Sequence, residues 1–293
     1  MSKKQKRISL LVFALVIAAL LIGVFLTGNS GSKGESIQEL MQNEVLHETN
    51  KISLFGLIDV NPGLVSAFLV TAVLFVFALI VRIFVIPRFR NVPGKFQTVL
   101  EEAVGLFDRL AKSNSPHRNR FLGAYVFTAG TYIFVGTLFE LFGFQAVTTQ
   151  GISTALTAPL SDINGAIALG FLSYGVILVG GITANGLRGL GRTLKEFSLP
   201  ISMSFRLFGA LLSGALVTGL VYYYISLSFV LPVIVGVLFT LLHAVIQAYV
   251  LTMLTALFYG EVTEIKHNPK TSKRAAVPTA GDLTANAIGG TKQ

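Results

Sequence analysis

The stretch LPISMSFRLFGALLSGALV, residues 199–217, decides the fold class. It is apolar over nearly the length that a membrane helix needs, which is about 20 residues. It also holds a permanent charge, Arg206, eleven residues beyond Lys195. A charge at mid-membrane costs about 2.5–3.5 kcal/mol on insertion scales, and such groups usually serve a function. We therefore predict a membrane helix with a functional arginine; the alternative is a side chain that reaches the cytoplasmic interface.

Six apolar runs in all are long enough to cross a bilayer, at residues 8–26, 63–86, 121–144, 162–184, 197–225 and 230–259. The last two exceed a straight crossing and predict tilted or kinked helices. The composition agrees, because 53% of the residues are hydrophobic and 13% are charged, against about 25% charged in ordinary soluble domains. The sequence therefore predicts an all-α integral membrane protein and excludes a typical cytoplasmic enzyme or a disordered chain.

The absence of cysteine excludes disulfides, thiolate metal sites and a cysteine nucleophile. The net charge of +9 does not indicate a nucleic-acid partner, because the basic residues cluster at the ends of the apolar runs, where membrane topology places them. They precede the first run, separate the second from the third and the fourth from the fifth, and follow the sixth. Both termini are therefore predicted to be cytoplasmic.

Four regions follow from this topology. We expect an N-terminal segment at 1–27, an external acidic segment at 28–61, a membrane domain at 62–262 and a loose basic cytoplasmic tail at 263–293. Two interpretations of residues 1–27 stay open. A basic start before an apolar centre is typical of a signal peptide, whereas the length of the run and the lack of an A-x-A site favour a retained anchor.

Small and hydroxyl side chains share the helix face of Arg206 by i±3 and i±4 spacing: Ser198, Ser202, Gly209 and Ser213. Such a face admits water and allows another helix to approach closely, although ordinary small-residue packing would produce it too. On the sixth run, Thr240, His243 and Gln247 also share one face. Because imidazole and amide groups need partners in lipid, we expect this face to look toward Arg206 or water; structural hydrogen bonds are the alternative.

Four further polar residues are candidates for ion translocation: Glu140, Asp162, Asn164 and Glu196. Glu140 lies in LFELFG near the outer end of the third run, among apolar neighbours. Asp162 and Asn164 begin the fourth run, where Asp162 is equally well explained as a helix N-cap. Glu196 lies near the cytoplasmic end of the fifth run, where a solvated surface position is the alternative.

Several motifs resemble the a subunit of F-type ATP synthases. SFRLFG around Arg206 and IQAYVLTMLTALFY at residues 246–259 carry most of the resemblance. VPGKFQ at 92–97, PLSDIN at 159–164 and LKEFSLPIS at 194–202 are also similar to that family. The resemblance covers about residues 61–259. The first two motifs, found together at this separation, are a specific indication of the family, whereas either motif alone would be a weak one.

The resemblance implies a membrane stator with about five core helices plus the N-terminal helix, the last two core helices long and tilted against a ring of c subunits. It implies two offset half-channels for ions, with Arg206 as the essential arginine and Gln247 as its partner. It also implies peripheral stalk b subunits and the rest of the ATP synthase as partners, the bacterial inner membrane as location, no cofactor, and no covalent chemistry by this chain.

The sequence departs from the family in the half-channel that opens to the outside. Ala210, Ala215 and Thr240 stand where the family commonly has an asparagine and titratable groups. We predict that Glu140 and His243 substitute for those groups by lining one outward-facing water cavity, with Gln247 at its inner end near Arg206.

Two other classes of protein compete with this interpretation. A secondary transporter that binds an anionic substrate through Arg206 would show an internal repeat and broken helices, and the sequence has no such repeat. An intramembrane enzyme would carry a motif such as HExxH or GxSxG, and neither is present.

Overall fold

The computed structural model describes residues 52–54, 58–117, 119–147, 149, 151, 153–223 and 231–264. The first apolar run, most of the external acidic segment and nearly all of the basic tail lie outside the described residues. Within these ranges the chain forms helices α1 Pro62–Ile80, α2 Lys95–Asn114, α3 Arg120–Phe139, α4 Ile163–Asn185, α5 Leu187–Lys195, α6 Ser198–Tyr223 and α7 Leu231–Thr263.

The ends of the spans follow from local chemistry. Asn61 caps α1, where its side-chain oxygen accepts a hydrogen bond from the Gly63 amide at 3.1 Å, and Pro62 takes the first helical position. Beyond α1 the chain continues through a π-helical segment, Val81–Val85, and a 3₁₀ turn, Ile86–Arg88, which contains Pro87. Because proline cannot donate a backbone hydrogen bond, the helical span ends there.

Within the described residues, four helical segments are long and apolar enough to cross a membrane: Pro62–Arg88, Arg120–Phe142, Ile163–Asn185 and Gly236–Thr263. A fifth span results if α5 and α6 are taken together across their 48° bend. The predicted class, an all-α integral membrane protein, is confirmed for the described part of the chain. The sequence had not predicted α5, whose basic residues it placed in a connection between two spans.

Helices α3, α4 and α7 form the centre of the bundle, α6 packs on α4 and α7, and α2 packs on α3 and α7. Four glycines, which we call the glycine contacts, let the backbone of one helix lie directly against a side chain or the backbone of a neighbouring helix. An added Cβ would overlap Phe107 at Gly130, Ser204 at Gly170, the Tyr259 ring at Gly180 and the Asn114 backbone at Gly260. The helix positions are therefore set by backbone approach as well as by apolar burial.

Two short antiparallel hairpins, also not predicted from the sequence, lie outside the helical bundle proper. β1 Ile52–Leu54 pairs with β2 Ile58–Val60, and β3 Gln145–Val147 pairs with β4 Ser153–Ala155. A small apolar cluster joins Ile52 and Leu156 to Val70 of α1 and Phe139 of α3. Because the hairpins flank the start of α1 and the end of α3, they cover the same end of the bundle.

Candidate functional site

Arg206 lies eight residues into α6, on the side that the rest of the described chain leaves exposed. Ser198, Ser202, Gly209 and Ser213 are exposed with it, so the predicted small-residue face points outward. The opposite side of α6 is buried through Met203, Leu207 and Leu211. Arg206 takes part in neither of the two ion pairs found on α2, Arg109 with Glu102 and Lys112 with Asp108. The charge of Arg206 is therefore presented at a surface, without an ion-pair partner among the described residues.

Gln247 of α7 has the opposite environment. The residue is 5% exposed, and its neighbours Ala244, Ala248 and Leu251 on the same helix are buried too. Its carbonyl oxygen Oε1 is buried and has no hydrogen-bond partner among the described residues. Leaving a buried acceptor unsatisfied costs about 1–3 kcal/mol, so an unpaired carbonyl oxygen at this position calls for a functional or solvent-mediated explanation.

One small polar cavity lies where α3, α6 and α7 meet. Its lining residues are Thr137, Glu140, Leu211, Gly214, Phe239, Thr240 and His243. Its volume is about 10 Å³, close to the minimum that a cavity needs to hold one water molecule. The structure thus brings Glu140 and His243 to the same cavity, with Thr240 beside them. Gln247, one helical turn along α7 from His243, does not line it.

The His243 ring is oriented by its own helix. Its Nδ1 lies 2.7 Å from the Phe239 carbonyl oxygen, and the ring stacks on Phe239 at a centroid distance of 5.7 Å. A carbonyl oxygen only accepts hydrogen bonds, so this contact requires the proton on Nδ1. In the neutral ring, Nε2 then keeps its lone pair as a proton acceptor.

The other predicted site residues lie away from this cavity. Asp162 is the N-cap of α4, where its Oδ1 accepts from the Asn164 amide at 3.1 Å and from the Asn164 side chain at 3.2 Å. It is 8% exposed and packs against Gly63 at the start of α1. Glu196 is exposed at the end of α5, and Ser202 is exposed near Arg206. The capping explanation of Asp162 is thus what the structure shows.

Sequence reasoning missed Thr137 and Gly214 as cavity residues. Thr137 precedes Glu140 by one helical turn, so the i+3 spacing was a usable signal. Gly214 had no such signal, because its place beside His243 depends on how α6 crosses α7. Across the part of the chain that the structure describes, no three His, Asp or Glu side chains gather as metal ligands.

The spans, the outward arginine and the polar groups among apolar helices define a multi-pass membrane protein that carries polar and charged side chains within its spans. Residues 64–260 match the family model described as ATP synthase A chain. The chain is also similar to two proteins named ATP synthase subunit a, from Cereibacter sphaeroides strains ATCC 17025 / ATH 2.4.3 and ATCC 17029 / ATH 2.4.9. Each is 25% identical over 189 residues, covering 60% of this chain and 72% of the relative.

The family match covers more than half of the chain, so the chain belongs to the ATP synthase A chain family. Membership indicates the membrane stator subunit of an ATP synthase, which is a component of a complex with other ATP synthase subunits. The resemblance that the sequence motifs suggested is therefore confirmed.

Proposed function

We propose that this chain translocates ions beside a ring of c subunits, through two offset half-channels that Arg206 separates. The flow of H⁺ or Na⁺ would drive ring rotation and ATP synthesis in the catalytic head, with no covalent chemistry by this chain. The observation that carries the proposal is the exposed Arg206, without an ion-pair partner among the described residues and on a face of small side chains.

An arginine suits this task for two physical reasons. Its guanidinium group stays protonated in proteins, so it cannot carry a proton from one half-channel to the other. Its charge also favours the ionised form of a ring carboxylate that comes within a few ångströms, which promotes proton release. The exposed Ser202, Gly209 and Ser213 leave room for ring helices to pass close to the guanidinium group.

The cavity at Glu140 and His243 is our proposal for part of the half-channel to the outside. Ala215 and Thr240 do not titrate, whereas a carboxylate and an imidazole with a free Nε2 lone pair both exchange protons. The unsatisfied Gln247 carbonyl oxygen, one turn further along α7, would orient water between this cavity and Arg206. Asp162 and Asn164 would hydrate the outer mouth, and Glu196 and Ser202 would line the route to the cytoplasm.

The proposed partners and location of the chain follow from this function. The c-subunit ring would contact the exposed faces of α6 and α7, and peripheral stalk b subunits would hold the chain against rotation. We place the protein in the bacterial inner membrane with both termini in the cytoplasm, because the basic residues cluster on one side of the predicted spans.

The first experiment replaces the arginine. Arg206→Ala should abolish ATP synthesis and ATP-driven ion pumping in inverted membrane vesicles, while the complex still co-purifies with its ring. Arg206→Lys should fail or run very slowly, because a lysine loses its proton more readily when desolvated. Arg188→Ala is the matched control, since Arg188 is an exposed arginine of α5, and it should pump normally. Normal pumping by Arg206→Ala would contradict the proposal and favour a secondary transporter.

The second experiment tests the cavity. Glu140→Gln and His243→Ala should each slow ion flux with the complex still assembled. The double variant should lose less than the sum of the two, because residues of one pathway are not additive. If His243→Ala pumps at the unmodified rate throughout pH 6–8, the proposed relay role of His243 is wrong.

A further inference from the structure

The connection between α1 and α2, residues 88–97, which we call the elbow, contains its own side-chain hydrogen bonds. The Gln97 side chain donates to the Arg90 carbonyl oxygen at 3.1 Å and accepts from the Arg90 amide at 3.2 Å. The side-chain nitrogen Nε2 of Gln97 also donates to Glu101 Oε1 at 2.7 Å. These bonds tie the Arg90 backbone to the first turn of α2, so the path of the chain through residues 90–97 is fixed there.

A basic groove of about 510 Å³, widely open to the surface, runs along the elbow. Three of its lining residues are cations, Arg88, Arg90 and Lys95, and no carboxylate lines it. None of the three forms an ion pair with another described residue. The rest of the wall includes three phenylalanine rings, from Phe84, Phe89 and Phe96. Positive charge beside aromatic surface suits a ligand that is anionic at one end and apolar at the other.

A second groove of about 740 Å³ adjoins the first and shares Phe89 with it. Its wall between α2 and α3 is mostly apolar, from residues that include Ile86, Leu100, Val104 and Phe127. The carboxylates at its rim are engaged: Glu101 accepts from Gln97, and Asp108 pairs with Lys112. The groove thus offers a mostly apolar surface beside the elbow, with Lys112, Asn119 and Arg120 also in its lining.

The elbow lies at the bilayer surface, where a membrane lipid can reach it. Arg88 ends the apolar span that begins at Pro62, so the cations lie where the span leaves the bilayer. Helix α2 leaves the apolar side chains of Phe96, Val99 and Leu106 exposed, at helical spacing along one side. A helix with such a side and charged residues elsewhere lies along a membrane surface.

We propose that this elbow binds an anionic phospholipid, with its phosphate on Arg88, Arg90 and Lys95 and an acyl chain in the groove between α2 and α3. Charge complementarity selects the anionic headgroup, and the adjoining apolar groove selects a lipid over a free anion. The site concerns the end of α1 and the surface helix α2, so it does not depend on Arg206 or on ion translocation.

The test uses the full chain, purified in a mild detergent and stripped of lipid, with binding followed by native mass spectrometry. Phosphatidylglycerol should bind, and phosphatidylcholine with the same acyl chains should bind much more weakly. The triple variant Arg88→Gln, Arg90→Gln, Lys95→Gln should bind phosphatidylglycerol about 100-fold more weakly, since each basic side chain near a membrane contributes about 1 kcal/mol. The control Arg109→Gln, Arg188→Gln, Lys195→Gln removes the same charge elsewhere and should bind normally.

Two further measurements do not require the triple variant to fold. Raising the salt from about 0.05 M to about 0.5 M should weaken phosphatidylglycerol binding to the unmodified chain, because screening shortens the range of the charges. Ala124→Phe places a larger side chain in the groove. It should weaken the binding of long-chain phosphatidylglycerol more than the binding of a dihexanoyl form.

Four outcomes would overturn the proposal. These are equal binding of phosphatidylcholine, displacement of the lipid by inorganic phosphate, an equal loss in the control variant, and binding that salt does not change. Cross-linking of the elbow to an acidic segment of another ATP synthase subunit, with no bound lipid, would also overturn it and identify a protein as the occupant.

Discussion

Gly170 offers the sharpest test of how the bundle positions Arg206. Here α4 and α6 meet so closely that an added Cβ would lie 2.9 Å from the Pro200 carbonyl oxygen and 3.2 Å from the Ser204 amide, and would overlap the Ser204 hydroxyl. The hydroxyl donates to Pro200 at 2.7 Å and is able to rotate away at the expense of that bond. The backbone atoms have no such freedom, so Gly170→Ala must push α6 away from α4.

The size of the displacement follows from these distances. Ordinary contact begins at 3.4 Å, so the Pro200 carbonyl has to move by about 0.5 Å from its 2.9 Å position. Overpacking of this kind costs about 1–3 kcal/mol. Arg206 is two residues from Ser204 on the same helix, so the shift also moves the guanidinium group. We expect Gly170→Ala to lower both the free energy of unfolding and the rate of ATP-driven pumping.

The assay compares two alanine variants of one helix. Unfolding in mixed micelles gives the stability, and vesicle pumping gives the function. Gly175→Ala is the matched control, because a Cβ at Gly175 meets nothing within 4 Å. Adding Ser204→Ala to Gly170→Ala should recover part of the loss, since it removes the nearest contact but leaves the carbonyl. If Gly170→Ala and Gly175→Ala behave alike in both measurements, the close contact does not position α6.

Three shorter predictions concern other contacts. Asp162→Ala should lower the free energy of unfolding by about 1 kcal/mol through loss of the α4 cap, whereas Asp162→Asn should retain most of it; equal losses would contradict a capping role. Gly260→Ala should destabilise the chain by about 1–3 kcal/mol, because its Cβ would overlap the Asn114 backbone; a stability matching that of the unmodified chain would show that α2 yields there. Gly214→Ala should pump normally, because the nearest atom to its Cβ is His243 Nδ1 at 3.9 Å, whereas Gly214→Leu should fill the cavity and slow pumping; unchanged pumping by the leucine variant would separate the cavity from the ion path.

The membrane spans could be predicted because bilayer thickness fixes their length and composition. The predicted run 162–184 became α4 Ile163–Asn185, and the run 230–259 became α7 Leu231–Thr263. The short helix α5 was missed because its basic residues are typical of a cytoplasmic loop between two spans. Its start depends on Gly186, whose φ of +59° turns the chain back so that Gly189 meets Gly181. Helix α2 also escaped prediction, although apolar residues recur along it at helical spacing.

The candidate site was predictable where helix periodicity alone decides which side chains share a face. The small residues around Arg206 are exposed together, as their spacing predicts. Glu140 and His243 line one cavity from different parts of the chain, so periodicity along one helix did not determine that they meet. The burial of Gln247 was not predictable. The spacing of Thr240, His243 and Gln247 shows that they share one face of α7, but that face could point toward water or toward the bundle. Which of these occurs depends on the crossing of α6 and α7, and the sequence pattern of one helix does not contain that information.

The glycine contacts also decide how the bundle responds to a sideways force. Where a backbone meets a ring or another backbone directly, as Gly180 meets Tyr259 and Gly260 meets Asn114, no flexible side chain lies between to act as a cushion. The repulsion between such surfaces rises steeply with compression, so a push on α7 toward α4 is met at once. We therefore expect the bundle to deform little where α7 is pressed against α4 or α2.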